Sequence, residues 1–344
     1  MRRPFRFLAL AGAAAGSLAL ASGALATPKL IVSGSTVQLQ EQKSDAAPAK
    51  VQIYAPTGYT GISAPAGTKI GTAHADIQAL LISEDAIVPA DGDIVTDDPA
   101  NHLMDACAPG MHSAIWVIKI VVSGIPFTVP IYVDAPPPGA EAALGAVKLS
   151  VCFSNPYVSS SPSDVQPKVL NAILTLNSNV LVAPTSGEFH WTSLITPWSK
   201  TSPLPDAAHT VEARGIVRVP GAVSLKAKVK TVRHKKGKKT TVTNSVVLSG
   251  LVSENGQGVG GATVDIIAGG KKRGSTTTSS SGAFSRSLGL PNKTTFQARA
   301  TVPQRDVTSA GCAGPSLAPA GCVSATMAGW TLASSTVTVT PKKK

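Results

Sequence analysis

The chain has 344 residues and a formal net charge of +12, so it is long enough for two ordinary domains and is distinctly basic. Aromatic residues make up only 4% of it, so its cores must be filled mainly by Val, Ile, Leu and Ala. The 31 glycines and 26 prolines show no collagen period and separate short β-branched runs, which excludes a collagen-like chain and favours β structure. We therefore expect an all-β protein.

The first 26 residues have the three parts of a bacterial export signal. Arginines at positions 2, 3 and 6 precede an apolar stretch at 8–20, and Ala24-Leu25-Ala26 supplies the small residues that a signal peptidase recognises. A transmembrane anchor is the alternative, but glycine and serine dilute a segment already near the lower length limit of a span. We expect a signal peptide at 1–26, a mature chain that starts near Thr27 with no membrane span, and a secreted or cell-surface location.

Four cysteines fit an oxidising compartment. Three pairings are open, and we favour Cys107 with Cys152 and Cys312 with Cys322 because each pair then lies within one predicted module. Metal binding is the alternative, but the sequence has no CxxC pair. We expect no metal and no cofactor.

Residues 27–219 show short strands between breakers and predict an antiparallel β-sandwich. The segment 114–122, AIWVIKIVV, is apolar on both faces and predicts a central strand. The alternating segment 127–134 contains Pro130, which cannot donate to a neighbouring strand, so an edge strand or a bulge is expected. The segment 169–176 fits either a helical turn or a strand.

A lysine-rich segment follows at 220–239. Its arms, 223–229 and 240–246, alternate apolar and polar residues and predict a hairpin with its tip near Gly237. One interpretation is a solvated edge strand that lysines protect against aggregation. The other is contact with a polyanion such as teichoic acid, an acidic polysaccharide or nucleic acid, the last disfavoured because no aromatic residues are interleaved. The candidate polyanion-binding residues are Lys226, Lys228, Lys230, Arg233, Lys235, Lys236, Lys238 and Lys239.

Residues 220–344 predict a second β-sandwich with a short C-terminal tail. The segments LSGLV at 248–252, GVGGATVDI at 258–266, TTSSSGAF at 277–284 and TFQARA at 295–300 carry a resemblance. With these motifs the region resembles a bacterial carboxypeptidase-regulatory-like domain, a transthyretin-like and Ig-like sandwich. The resemblance implies an accessory module without catalytic residues. The cysteine-containing segment 311–323 departs from the pattern and is expected to be a loop closed by a disulfide.

The first module carries a second resemblance. The segments at 55–59, 67–71, 107–112 and 211–214 are similar to those of secreted actinobacterial proteins of unassigned function. This resemblance implies export and no activity.

Searches for catalytic motifs find no G-x-S-x-G, H-E-x-x-H, P-loop or Rossmann pattern. Glu188 and His190 would share one face of a strand and Phe189 and Trp191 the other. A metal or general-base site would need further partners to converge on this pair, and a half-exposed strand with its aromatic residues facing the core is the alternative. The possible partners are His112, Asp134 and Glu212. Glu212 and Arg214 are expected to form a surface ion pair of little energy.

Four aromatic residues, Trp191, Trp198, Tyr157 and Tyr59, could form a sugar-stacking platform, although such residues also fill the ends of sandwiches. We expect a structural or binding protein without catalysis, its second module a spacer or adhesion unit. The alternatives are binding of carbohydrate or an anionic cell-wall polymer, and an enzyme in the first module. The expected partners are cell-wall polymer, polysaccharide or another surface protein, with no specific nucleic acid.

Overall fold

A computed structural model describes residues 28–61, 64–80, 83, 85–122, 125–158 and 167–342. The predicted signal peptide and its cleavage point lie outside this range. Strands dominate the described residues, which confirms the predicted all-β class. Within the same residues, no helix has the length and apolar character needed to cross a membrane.

The strands of the first 219 residues are β1 Lys29–Ser33, β2 Thr36–Gln40, β3 Pro48–Ala55, β4 Thr60–Gly61, β5 Lys69–Ala79, β6 Ile87–Asp97, β7 Ala114–Val122, β8 Ile125–Asp134, β9 Val147–Cys152, β10 Pro167–Leu176, β11 Leu181–Val182, β12 Gly187–Pro197 and β13 Val211–Val219. Three short 3-10 helices lie at Pro99–His102, Glu141–Ala143 and Ala207–His209.

The later elements are β14 Gly221–Val223, β15 Lys226–Lys236, β16 Lys239–Glu254, β17 Gln257–Gly258, β18 Thr263–Ala268, β19 Lys271–Thr277, β20 Ala283–Gly289, β21 Thr294–Val302, β22 Arg305–Asp306, the one-turn α-helix α1 Thr308–Gly311, β23 Cys322–Met327, β24 Trp330–Ala333 and β25 Val337–Val339.

The first module is one long sheet that curls around its own core. Its strand order is β1-β2-β10-β5-β6-β7-β8-β9-β3-β12-β13-β23-β22. The curl brings β1 against β13, where a Cβ at Gly215 would lie 3.0 Å from the carbonyl oxygen of Leu30, so glycine allows this close approach. Buried aliphatic side chains from both sides of the curl, with Trp116 and Trp191, fill the space between them.

The predicted strands of this module are present. The segment 114–122 is β7, which pairs with β6 and β8, and the ambiguous segment 169–176 belongs to strand β10. Strand β9 reaches β8 only at Tyr132–Asp134, so Pro130 lies in a part of β8 that pairs with β7 alone, as its missing N–H requires. Cys107 and Cys152 form the predicted disulfide.

The second module consists of two packed sheets. One contains β14, β15, β16, β17 and β20, and the other contains β18, β19, β21, β24 and β25. Val246 and Leu248 of the first sheet and Val264, Ile266 and Ala298 of the second are fully buried in a shared core. Small and β-branched residues at alternate positions give each sheet one apolar face, so two such faces enclose a core with few aromatic residues.

The predicted boundary at residue 220 is wrong for the segment 305–327. Strand β23 lies parallel to β13 in the first sheet, and β22 pairs with β23 at its edge. Cys312 and Cys322 form the predicted disulfide. This disulfide closes the loop that leads into β23, and β23 belongs to the sheet of the first module. The physical reason is that Ala325 and Met327 bury their side chains against Ile216 of β13.

The returning segment also buries an ion pair that was predicted to lie at the surface. Glu212 and Arg214 are 0% and 5% exposed, and Arg214 Nε donates to Glu212 Oε1 at 2.6 Å. The guanidinium donates two further bonds of 2.7 Å to the carbonyl oxygens of Ala313 and Pro315. Ser316 Oγ donates to Glu212 Oε2 at 2.6 Å. The surface prediction was therefore wrong, because the loop before β23 covers this face.

Candidate functional site

The lysine-rich segment forms a hairpin that projects from the second module. Strands β15 and β16 pair antiparallel from Lys226 opposite Ser249 to Lys236 opposite Lys239, and Gly237 turns the chain with a φ of +60°. Strand β20 supports β16 no farther than Ser245. In the described part of the chain, the remainder at 231–244 is a two-stranded ribbon without a third strand.

The inner half of this hairpin separates apolar from cationic side chains. Ala227 and Val229 pack against the core of the second module, whereas Lys226, Lys228 and Lys230 point to solvent. Because side chains two residues apart share a face, the three ammonium groups form a row with a repeat of about 7 Å.

The outer half of the hairpin lies beyond the core and is exposed on both faces. Arg233 and Lys235 stand on the side of Val229, and Lys236 stands on the side of Lys230. Lys238, in the turn, is exposed as well. A ligand can therefore reach cationic groups from either side of the ribbon.

Acidic side chains of the described residues do not neutralise the positive charge of this hairpin. The side chain of Lys239, one of the eight candidate polyanion-binding residues, lies outside the described part of the chain. None of the other seven cationic residues forms an ion pair with a described carboxylate, although eight lysines and arginines elsewhere do. Asn244 Nδ2 donates to the backbone carbonyl of Lys342 at 3.0 Å, which brings Lys342 beside the ribbon. The hairpin is thus a concentrated positive surface.

The predicted aromatic platform is wrong. Trp191 and Tyr59 are 0% and 2% exposed and contact each other edge to face in the core, with ring centroids 4.8 Å apart. Trp198 is half-buried, and its Nε1 donates to the Phe153 carbonyl at 3.1 Å. The half-buried Tyr157 accepts a bond of 2.9 Å from the backbone N–H of Ala47 through its hydroxyl. Trp191 and Tyr59 therefore fill the core. Trp198 and Tyr157 instead attach neighbouring backbone segments through hydrogen bonds.

The polar residues proposed for a general-base or metal site are dispersed. Glu188 contacts His190 at 2.9 Å and Arg218 at 2.6 Å, and the Arg218 hydrogen bond lowers the pKa of its carboxyl group. Asp134 pairs separately with His112 at 2.8 Å. Glu212 is buried and bonded to Arg214, apart from the other residues of the proposed site. Across the described ranges, no three His, Cys, Asp or Glu side chains are grouped so that they could hold a metal ion.

Sequence reasoning missed a partly open cavity in the first module. Its volume is about 290 Å³, its walls are almost entirely apolar, and Glu41 is one of the residues that line it. Burial raises the pKa of Glu41 to about 8. The available signal was one acid directly after the alternating strand β2, which by itself resembles any exposed strand end.

A scan of protein families found none that matches the chain, and a search of curated proteins found no relative. The two disulfides are typical of proteins from an oxidising, extracellular environment.

Proposed function

We propose that the protein is exported and binds an anionic polymer, without catalysis, through the hairpin formed by β15 and β16. The observation that carries the proposal is the group of seven exposed cationic side chains, none of which has an acidic partner among the described residues. A chain of repeated negative charges can contact many of them at once, and its attraction is long-range at low ionic strength. A cell-wall polymer such as teichoic acid, or an acidic polysaccharide, has this character.

The second sandwich supports the hairpin from one end. Its motifs resemble those of carboxypeptidase-regulatory-like modules, and we propose that it holds the ribbon away from the first module as a rigid spacer. About half of the hairpin extends past the supporting strand β20, so the cationic tip is accessible to a bulky polymer.

A sedimentation assay with teichoic-acid-containing cell walls tests this function. We expect the protein to sediment with the walls at low salt and to be released at about 0.5 M NaCl. At this salt concentration, charges are screened over roughly 4 Å. Changing Arg233, Lys235, Lys236 and Lys238 to Gln should abolish sedimentation and leave the fold intact, because these side chains are exposed.

The matched control changes four exposed lysines elsewhere to Gln, which lowers the net charge equally. These lysines are Lys119, Lys200, Lys271 and Lys293. The control variant should sediment almost like the parent. Equal losses in both variants would mean that net charge, not the hairpin, causes binding, and an unchanged hairpin variant would leave only the protected-edge interpretation.

A further inference from the structure

The cavity of the first module lies between opposite sides of the curled sheet. Strands β2, β5 and β10 provide one wall, with Ala172 among its small side chains, and β7 and β8 provide another. Ile118, Phe127 and Val129 face this space and remain only half-buried, so apolar surface is incompletely covered by the chain itself. Such a partly open apolar space is typical of small-molecule sites.

One polar group, the side chain of Glu41, stands out in this lining. It is about nine-tenths buried, and neither carboxyl oxygen has a hydrogen-bond partner among the described residues. The backbone of Glu41 is held in place, because its N–H donates to the Leu170 carbonyl of β10 at 2.7 Å. Buried polar groups are almost always hydrogen-bonded, so an unpaired carboxyl group in a residue that lines a cavity indicates a missing partner.

Lys168 does not supply that partner. Its Nζ donates three bonds of 2.6–2.9 Å to the carbonyl oxygens of Gln42, Lys43 and Asp45, which uses all three of its N–H groups. His74 also borders the cavity, but its Nδ1 is bonded to Asp91 at 2.8 Å. The neighbouring cationic groups are thus already engaged.

We infer that the cavity binds a small apolar molecule that ends in a neutral hydroxyl group, with the hydroxyl bonded to Glu41. A buried neutral carboxyl group both donates and accepts, as a hydroxyl does. The nearby Lys168 ammonium disfavours a cationic head group, and burial disfavours an anionic one. This site lies in the first module and is independent of the proposed polymer binding.

The size of the cavity restricts the ligand. It has about twice the volume of a cavity of ~150 Å³ that accommodates benzene, so about ten to twelve non-hydrogen atoms fit. Decan-1-ol, a linear alcohol in this range, is a suitable probe.

Isothermal titration calorimetry of the full chain at pH 6.5 tests the inference. Decan-1-ol should bind with one-to-one stoichiometry, and decylammonium and decanoate should bind at least tenfold more weakly. Glu41→Leu should weaken decan-1-ol binding about tenfold through the lost hydrogen bonds. Glu41→Gln, which keeps a neutral donor and acceptor, should stay within about threefold of the parent.

Two substitutions on β10 test the location. Ala172→Phe should fill the cavity and abolish binding, whereas Ile173→Phe, on the opposite face of the same strand, should leave it unchanged. Near-ultraviolet circular dichroism checks that both variants fold. Absence of binding to the parent, equal loss in the two β10 variants, or tighter binding of either charged probe would overturn the inference.

Discussion

Two buried carboxyl groups in the first module have opposite surroundings. Glu212 is bonded to Arg214, Ser316 and the backbone N–H of Leu317. Glu41 has no bond of this kind among the described residues, and it borders an apolar cavity. Since a buried charge is tolerated only when it is paired, the two groups should affect stability in opposite ways.

Glu41 should make the protein less stable as pH rises. Its pKa is about 8 in the folded chain and near 4.5 when unfolded, so between these values the folded state holds the extra proton. Burial dominates this shift, opposed by Lys168 and reinforced by Asp45. The unfolding free energy should therefore fall by up to about 1.4 kcal/mol per pH unit between about pH 5 and 8.

Urea unfolding at several pH values checks this expectation. Glu41→Gln should remove the decline relative to the parent. Glu188→Gln is the control, because the pKa of that carboxyl group is lowered and it stays ionised over this range. A parent and a Glu41→Gln variant with the same pH profile would contradict the prediction.

Removal of one partner of the buried ion pair should be strongly destabilising. Arg214→Met leaves Glu212 buried without its cation, which should lower the unfolding free energy by about 3–5 kcal/mol. Arg218→Met breaks a partly exposed pair with Glu188 and should lower it by no more than about 1 kcal/mol. Chemical denaturation measures both, and similar losses would show that burial of the first pair contributes little.

At the scale of single residues, the sequence predicts which side chains share a face of a strand. It does not predict which face another part of the chain covers. The i, i+2 spacing of Glu212 and Arg214 correctly places both on one side of β13. Their burial depends on residues 313–317, about a hundred positions away. The same limit applies to Trp191, which alternation assigns to the side of Phe189 without showing that the curl of the sheet encloses it.

At the scale of elements, β15 is both the cationic strand and an edge strand of its sheet. Lys226, Lys228 and Lys230 should oppose pairing with another chain. Changing these three lysines to Thr raises β-propensity and removes the charges, so we expect self-association. Sedimentation velocity should detect oligomers, and Thr at Lys119, Lys200 and Lys293 serves as the control. A monomeric β15 variant would show that the lysine row does not protect the edge.

Strand positions could be predicted well because alternating and continuous apolar runs are local properties of the sequence. The arms of the hairpin and strand β7 follow directly from their sequences. The segment 169–176 remained ambiguous because its apolar residues fit both helical and strand periods, and pairing with β2 and β5 decides it.

At the scale of the whole molecule, residues from the predicted second module complete the first. Strand β23 extends the first sheet, and Glu254 of β16 accepts a bond of 2.6 Å from Trp330 Nε1 and pairs with Arg305 of β22. Local sequence could not predict this arrangement, because the parallel partners β13 and β23 are separated by about a hundred residues.

A fragment of residues 28–219 should therefore fold poorly. Without residues 305–327, Ile216 and the Glu212–Arg214 pair would lose their cover. We expect low dispersion in its proton–nitrogen correlation spectrum and no cooperative melting, in contrast to the chain 28–342. A fragment that melts cooperatively at the same temperature as the longer chain would support a boundary at residue 220.

The proposal that the β15–β16 hairpin is an anionic-polymer site is tested most directly by its affinity for purified teichoic acid across a salt series. The parent should bind more weakly as NaCl rises from about 0.05 to 0.5 M, because the attraction is mainly Coulombic. The variant with Gln at 233, 235, 236 and 238 should lose most of its affinity at low salt and most of the salt dependence of binding. The control variant with Gln at 119, 200, 271 and 293 should keep the affinity and the salt dependence of the parent. Equal affinity and an equal salt slope in the parent and the hairpin variant would contradict the proposal.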